Sequence, residues 1–191
     1  MATYYSDIFT GLGRTTAATP VGSGGDTIAN ITQNTTSAHA RMRTTIGHIR
    51  IDADEDFDDA DVAHMLILKP TDRLVRLQII CDATGAGTLD LGVSTVVPDN
   101  GTLTFTVSDD DLFASQYDWN AARVWVDLLH ESATVPIEYI GRPMWEIANL
   151  GAGTFTADEK NNFAITMTAE DAGTTADNLD VLIAATYIAG D

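Results

Sequence analysis

The sequence predicts a mainly β protein: a β-sandwich or jelly-roll-like domain with one or two short helices and an extended N-terminal arm. Two observations predict it. Apolar residues alternate with polar ones through most of the chain after residue 46, and turn-forming residues interrupt these runs roughly every 10 to 15 residues. This spacing is typical of antiparallel sandwiches and not of repeating strand–helix units.

Residues 1–45 differ in composition from the rest of the chain. Thr, Ala, Gly, Ser and Asn dominate this segment, and large apolar side chains are few. Such a segment does not offset its ordering entropy by folding on itself. We therefore predict an arm over residues 1–45, followed by a β domain over residues 46–191. The arm residues predicted to contact a partner are Tyr4, Tyr5, Ile8, Phe9, Leu12 and Arg14.

The sequence pattern predicts three strands in the first part of the β domain. Residues 46–51 alternate between apolar and polar types, and residues 62–68 are almost continuously apolar. Pro70 and Asp72 mark a turn before a second alternating run over residues 75–81. Cys81, the single cysteine, closes this run. Its position predicts a small buried side chain, and one cysteine excludes a disulfide within the chain.

The sequence after residue 81 predicts four more strands and two helices. Alternation over residues 89–93 and 103–107 predicts a strand pair. Ser108, followed by three aspartates, predicts the start of a short helix that runs towards Ala122, because hydroxyl caps and early carboxylates favour helix starts. Pro143 predicts the first turn of another helix that ends at Gly151. The last two strands are predicted at residues 163–167 and 179–188, with a hairpin loop at 172–178.

The charge distribution limits the possible partners. Asp and Glu number 28 against 10 Lys and Arg, for a net charge of −18. Residues 1–51 carry four arginines against two aspartates, or +2, which leaves −20 for residues 52–191. An acidic body repels phosphate backbones, so no nucleic acid is expected as a partner. Nor is a membrane, because no apolar run reaches the roughly 18 residues of a membrane span.

The acidic run from Asp52 to Asp61 resembles a calcium loop only in part. Its first acids alternate as EF-hand ligands do, but Phe57 stands where the turn requires glycine, and Ala63 stands where a bidentate glutamate is required. We expect a solvated loop and no metal site there. The four histidines are far apart in sequence, and no nucleophile or phosphate-binding motif is present. We therefore expect no enzyme activity and no cofactor.

Three motifs and their order carry a resemblance to a known class. They are Leu-Asp-Leu-Gly-Val at residues 89–93, Pro-Met-Trp-Glu-Ile at 143–147 and Tyr-Ile-Ala-Gly-Asp at 187–191. Residues 46–191 resemble, in this pattern, small virion structural proteins of tailed bacteriophages that decorate or cement the capsid. In that class an extended arm precedes a compact β domain. Trp145 is expected in the core.

The resemblance implies a function, a location and partners. It implies a non-enzymatic protein on the outer surface of the capsid that bridges neighbouring major capsid protein subunits. Threefold capsid sites favour a homotrimer, with a dimer as the second choice.

Two other classes remain open on the sequence. The first is a carbohydrate- or cell-surface-binding β-sandwich, assisted by a cation at the run from Asp52 to Asp61; it predicts exposed aromatic residues on loops. The second is an acidic mimic of nucleic acid, which fits the charge but not the apolar strands or the arm.

Overall fold

The computed structural model describes residues 3–5, 42–51, 57, 60–82, 87–99, 102–118, 123–131, 134–150, 161–170 and 179–190. Within these ranges the strands are β1 (Thr3–Tyr5), β2 (Met42–Ile51), β3 (Val62–Leu68), β4 (Arg73–Cys81), β5 (Thr88–Asp99), β6 (Thr102–Asp118), β7 (Val126–Asp127), β8 (Asn162–Ala169) and β9 (Leu179–Ile188). The helices are α1 (Leu128–Glu131), a 3-10 turn (Ile137–Tyr139) and α2 (Met144–Ala148). No helix in these ranges is long and apolar enough to cross a membrane.

The strands form two sheets. Sheet A has the order β1-β3-β8-β5-β6, and sheet B has the order β2-β9-β4-β7. The described strand pairs are antiparallel except for β1 with β3, which is parallel. The predicted β-sandwich with short helices is therefore confirmed.

The core lies between the two sheets and joins them into one apolar cluster. On the sheet B side, the core comes from alternating residues, as in β2, where Ile49 and Ile51 are buried and their neighbours His48 and Arg50 are only partly buried. The two sheets approach closely at Gly47, where an ideal Cβ atom would lie 2.8 Å from the carbonyl carbon of Met65. Only glycine permits this contact between β2 and β3. The largest fully buried side chains include Phe57, Phe113, Phe163, Met65 and Leu66.

The outer face of sheet A is also buried, which ordinary alternation does not produce. In β8 every residue from Phe163 to Ala169 is buried, although alternate side chains point to opposite faces. The outer face carries small or polar residues in rows across the sheet: Thr168 pairs with Asp90, and Thr166 pairs with both Gly92 and His64.

A bulge in β6 covers part of this face. Ala114 pairs with Leu91 and Asp109 pairs with Val93, so residues 110–113 of β6 stand opposite the single residue Gly92 of β5. The bulge backbone lies directly against Gly92, where an ideal Cβ atom would lie 2.5 Å from the carbonyl carbon of Asp110. Nearby, Phe105 of β6 stacks on His64 with ring centroids 4.1 Å apart.

The helix predicted from Ser108 is wrong, because residues 102–118 form strand β6. Ser108 Oγ lies 2.9 Å from Thr95 Oγ1 on the paired strand instead of capping a helix. The Asp109 carboxylate accepts a hydrogen bond from the Asp111 amide at 3.3 Å, a local turn contact inside the bulge. Aspartate and serine favour such turns for the same reason that they favour helix starts, and the pairing of β6 with β5 decides between the two.

The other predicted elements are confirmed where the structure describes them. Helix α2 follows Pro143 as predicted, but its buried residues are Met144, Ile147 and Ala148. Trp145 packs against the core while remaining half-buried, so the expectation that it lies inside the core is met only in part. Cys81 is buried and has no disulfide partner. Strand β2 begins at Met42, four residues before the predicted start of the β domain.

Candidate interaction surfaces

The predicted arm contacts are described only at the start of the chain. Tyr4 and Tyr5 belong to β1, where they pair with Ala63 and His64 of β3. The other predicted arm residues, Ile8, Phe9, Leu12 and Arg14, lie outside the described residues. Because β1 adds to β3 through main-chain hydrogen bonds, this edge of sheet A accepts an added strand largely irrespective of its side chains.

Exposed apolar side chains lie just before β7 and in the 3-10 turn. Val124 and Trp125 stand just before β7 with 60% and 42% of their surface exposed, and Ile137 in the 3-10 turn is 80% exposed. Sequence analysis did not identify these residues, since they stand in no alternating run that could show which side chains face solvent. Isolated exposed apolar residues are common, but an exposed tryptophan beside an exposed valine is a candidate contact site.

Three arginines on the body already have partners within the chain. Arg76 Nε donates to Asp127 Oδ2 at 2.8 Å, Arg142 pairs with Glu146 at 3.5 Å, and Arg73 donates to the Gly141 carbonyl oxygen at 3.3 Å. The contacts of Arg76 and Arg142 are ion pairs with exposed arginines, which stabilise a fold only weakly, and that of Arg73 is an exposed hydrogen bond to a backbone oxygen. These arginines therefore stay available for exchange with an acidic partner.

Asp127 organises the junction between β7 and α1. Its Oδ1 accepts hydrogen bonds from the amides of Leu129 and His130, at 3.2 and 3.1 Å, and lies 2.8 Å from the His130 ring. Burial by itself would raise the pKa of Asp127, but the hydrogen bonds from His130 and Arg76 outweigh burial and lower that pKa. Asp127 thus caps the short helix as an ionised carboxylate.

The buried residues Cys81 and His64 have pKa values that do not suit catalysis near pH 7. Burial, together with the neighbouring charge of Asp82, raises the pKa of the Cys81 thiol to about 12. Burial lowers the pKa of His64 to about 3, so its ring is neutral near pH 7. A thiol this weakly acidic does not supply the thiolate that nucleophilic catalysis requires.

The acidic run predicted as a solvated loop is described at three positions. Phe57, which stands where a calcium loop needs glycine, is fully buried in the core. Asp61 at its end is also buried, and Ala60 has a positive φ of 65°. Its other acids lie outside the described residues.

A different acidic cluster forms on the outer face of sheet A. Carboxylate oxygens of Asp90, Asp110 and Glu170 lie within 4.8 Å of one another. Asp90 is buried and accepts a hydrogen bond from the Gln116 amide at 2.6 Å, whereas Asp110 and Glu170 are exposed. No sequence motif predicts this cluster, because its members come from β5, the β6 bulge and the residue after β8.

Asp109, beside this cluster, has a carboxyl group with a raised pKa. Partial burial first, then hydrogen bonding and charge repulsion from Asp111, raise the pKa of Asp109 to about 6.

Comparison with known proteins gives a likeness in structure alone. No family model and no curated protein matches the chain. A chain from the capsid of Ralstonia phage GP4 superposes with a TM-score of 0.50 and 12% identity, covering 78% of this chain and 85% of that one. A chain from the cyanophage Pam1 capsid asymmetric unit has 15% identity and a TM-score of 0.44, over 78% and 84% of the two chains. At this identity the GP4 match establishes a shared fold.

Proposed function

We propose that this protein is a non-enzymatic virion structural protein that decorates or cements a bacteriophage capsid by bridging neighbouring major capsid protein subunits. The observation that carries the proposal is the fold shared with a chain of the Ralstonia phage GP4 capsid over most of both chains. The pattern of strands and motifs over residues 46–191 is a second support, because it resembles small virion structural proteins of tailed bacteriophages that decorate or cement the capsid.

The arm supplies the bridging mechanism in this proposal. Residues 6–41 separate β1 from β2, and 36 residues span up to about 120 Å when extended. An arm and a body that bind two neighbouring subunits hold each other in place, because release of one contact leaves the other bound at high effective concentration. Tyr4, Tyr5, Ile8, Phe9, Leu12 and Arg14 are the proposed contacts with the neighbouring subunit.

The body's charge supports a position on the outer surface of the capsid. Residues 52–191 carry a net charge of −20, which opposes contact with packaged nucleic acid. Symmetric sites on the shell favour a homotrimer, with a dimer as the second choice.

Co-sedimentation with empty phage heads tests the proposal. The full chain is expected to sediment with heads, and a chain that starts at Met42 is expected to bind at least tenfold more weakly. Thermal unfolding of the truncated chain is the control for folding, because β2 remains complete in it. A full chain that stays in the supernatant would refute the proposal. A truncated chain that folds and binds fully would place the contact on the body.

One observation favours a second function. Trp125 is 42% exposed next to Val124, as expected for the stacking platform of a carbohydrate- or cell-surface-binding module. A glycan array tests the second function. The natural chain should be retained on the array and Trp125→Ala should not be, and a natural chain that is not retained would refute a carbohydrate-binding function.

A further inference from the structure

We propose that Asp90, Asp110, Glu170 and Thr168 form a calcium site on the outer face of sheet A, where the ion joins the β6 bulge to β5 and β8. This site does not depend on the capsid function.

Three of the four side chains stand on one face of the sheet by strand geometry. Asp90 and Thr168 are paired residues of β5 and β8, so their side chains project from the same face as neighbours. Glu170 is two residues beyond Thr168, which places it on that face as well. Its amide donates to the Thr88 carbonyl oxygen at 3.0 Å, which holds it beside β5.

The β6 bulge supplies the fourth side chain. The backbone of Asp109 and Asp110 packs against Gly92, two residues along β5 from Asp90 on the same face. This contact places Asp110 so that its carboxylate oxygen lies within 4.8 Å of those of Asp90 and Glu170. Three negative charges thus converge from three strands on one point.

An independent observation at the same place points to a ligand. Thr168 is only 5% exposed, and its Oγ1 atom is buried without a hydrogen-bond partner among the described residues. Buried hydroxyls are nearly always satisfied, so those that are not require an explanation. The hydroxyls of Ser94 and Thr166 share this property with Thr168, and of these three residues Thr168 is the one paired with Asp90. The Thr168 hydroxyl is adjacent to Asp90 in the pairing, where a cation held by the carboxylates would accept its lone pair.

The chemistry of these donors selects calcium. All four side chains offer oxygen atoms, which hard cations prefer, and none offers the nitrogen or sulfur that zinc and copper favour. Calcium accepts six to eight oxygen atoms in flexible geometry, which suits an arrangement with one buried and two exposed carboxylates. Solvent can supply the remaining oxygen atoms at the exposed side.

Titration of the chelator-treated full chain with Ca²⁺ alone tests the site by calorimetry and by thermal unfolding. We expect saturable binding with a Kd of roughly 10⁻⁵ to 10⁻³ M, together with a rise in the unfolding midpoint. Glu170→Gln removes one charge at an exposed position and is expected to weaken binding about tenfold. Glu138→Gln, the same substitution at an exposed glutamate of the 3-10 turn, is the matched control and should leave the Kd unchanged.

Thr168→Val distinguishes a ligand from a structural residue. Without calcium it should unfold at the same or a higher temperature, because it removes an unsatisfied buried hydroxyl while keeping the shape. With calcium its rise in midpoint should be smaller than that of the natural chain. The proposal is overturned if 10 mM Ca²⁺ produces neither heat nor a shift in midpoint, if Glu170→Gln binds as well as the natural chain, or if Glu138→Gln weakens binding as much as Glu170→Gln does.

Discussion

Substitution of Gly92 by alanine should be among the most damaging single-methyl changes in the protein. An added Cβ atom would lie 2.5 Å from the carbonyl carbon and oxygen of Asp110, and closer still to the carbonyl oxygen of Asp109. Ordinary contacts of a Cβ atom begin near 3.4 Å, so the β6 backbone would have to move by roughly 1 Å. Overpacking costs about 1 to 3 kcal/mol, and we expect the upper end because the obstructing atoms are backbone atoms fixed by pairing with β5. For a chain of this size, about 3 kcal/mol lowers the unfolding midpoint by roughly 6 to 12 °C.

Gly141→Ala is the matched control for this measurement. Gly141 has a φ of +79° and no atom within 4 Å of an added Cβ. Its replacement therefore tests backbone strain alone, at about 1 to 2 kcal/mol. Differential scanning calorimetry of both variants is the assay. If Gly92→Ala unfolds no earlier than Gly141→Ala, the β6 bulge does not pack on β5 as described, and the position of Asp110 beside Asp90 is wrong with it.

Three further predictions follow from individual side chains. Asp127→Ala should lower the free energy of unfolding by about 1 kcal/mol through loss of the α1 cap. The pKa of Asp127 is lowered in the folded state. Its charge therefore stabilises the fold at pH values above the ordinary aspartate pKa near 3.9, and this stabilisation is lost as the pH falls through the folded pKa. The stability difference between the natural chain and Asp127→Asn, measured by urea unfolding, should therefore shrink from pH 6 to pH 3, and an unchanged difference would contradict the ion pairs. The Cys81 thiol should react with a thiol reagent at pH 8 only after denaturation, and fast labelling of the native chain would contradict its burial. Trp145→Ala should cost about 1 to 2 kcal/mol, less than the 3 to 5 of a fully buried tryptophan, as measured by urea unfolding.

Strand positions could be predicted because burial of one face leaves a local signal. Residues 75–81 show this signal and are part of a strand. Residues 62–68 show a different local signal, a nearly continuous apolar run, because both faces of β3 are buried. The failure at Ser108 has a physical cause. A hydroxyl followed by carboxylates stabilises either a helix start or a turn within a strand. The choice depends on whether β5 is available for pairing, which no local pattern reveals.

The candidate calcium site could not be predicted for a related reason. Its acids are separated by 20 residues between Asp90 and Asp110 and by 60 between Asp110 and Glu170, so no short motif contains them. The acidic run at residues 52–61 is visible in the sequence because its members are close together along the chain. The cluster on sheet A is formed only by pairing of β5 with β8 and by the close approach of the bulge to Gly92. The sequence shows where acidic residues are adjacent along the chain, but only the fold brings carboxylates from distant strands together.

The pairing of β1 with β3 gives the bridging proposal a direct test. A strand added through main-chain hydrogen bonds can come from its own chain or from a neighbour, and the 36 residues between β1 and β2 are long enough for either. Thr3 and Val62 are partners in this pairing, so cysteines at both positions come within the distance that a disulfide needs. The natural Cys81 does not compete, because it is buried and its pKa is raised to about 12.

Oxidation of the Thr3→Cys, Val62→Cys chain should give covalent trimers or dimers on a non-reducing gel if copies exchange arms in solution, and internally linked monomers if they do not. Thr3→Cys paired with Thr71→Cys, outside this register, is the control that should give neither. Monomers alone would confine β1 to its own body, and the bridging contact would then have to come from residues 6–41 or from the body itself.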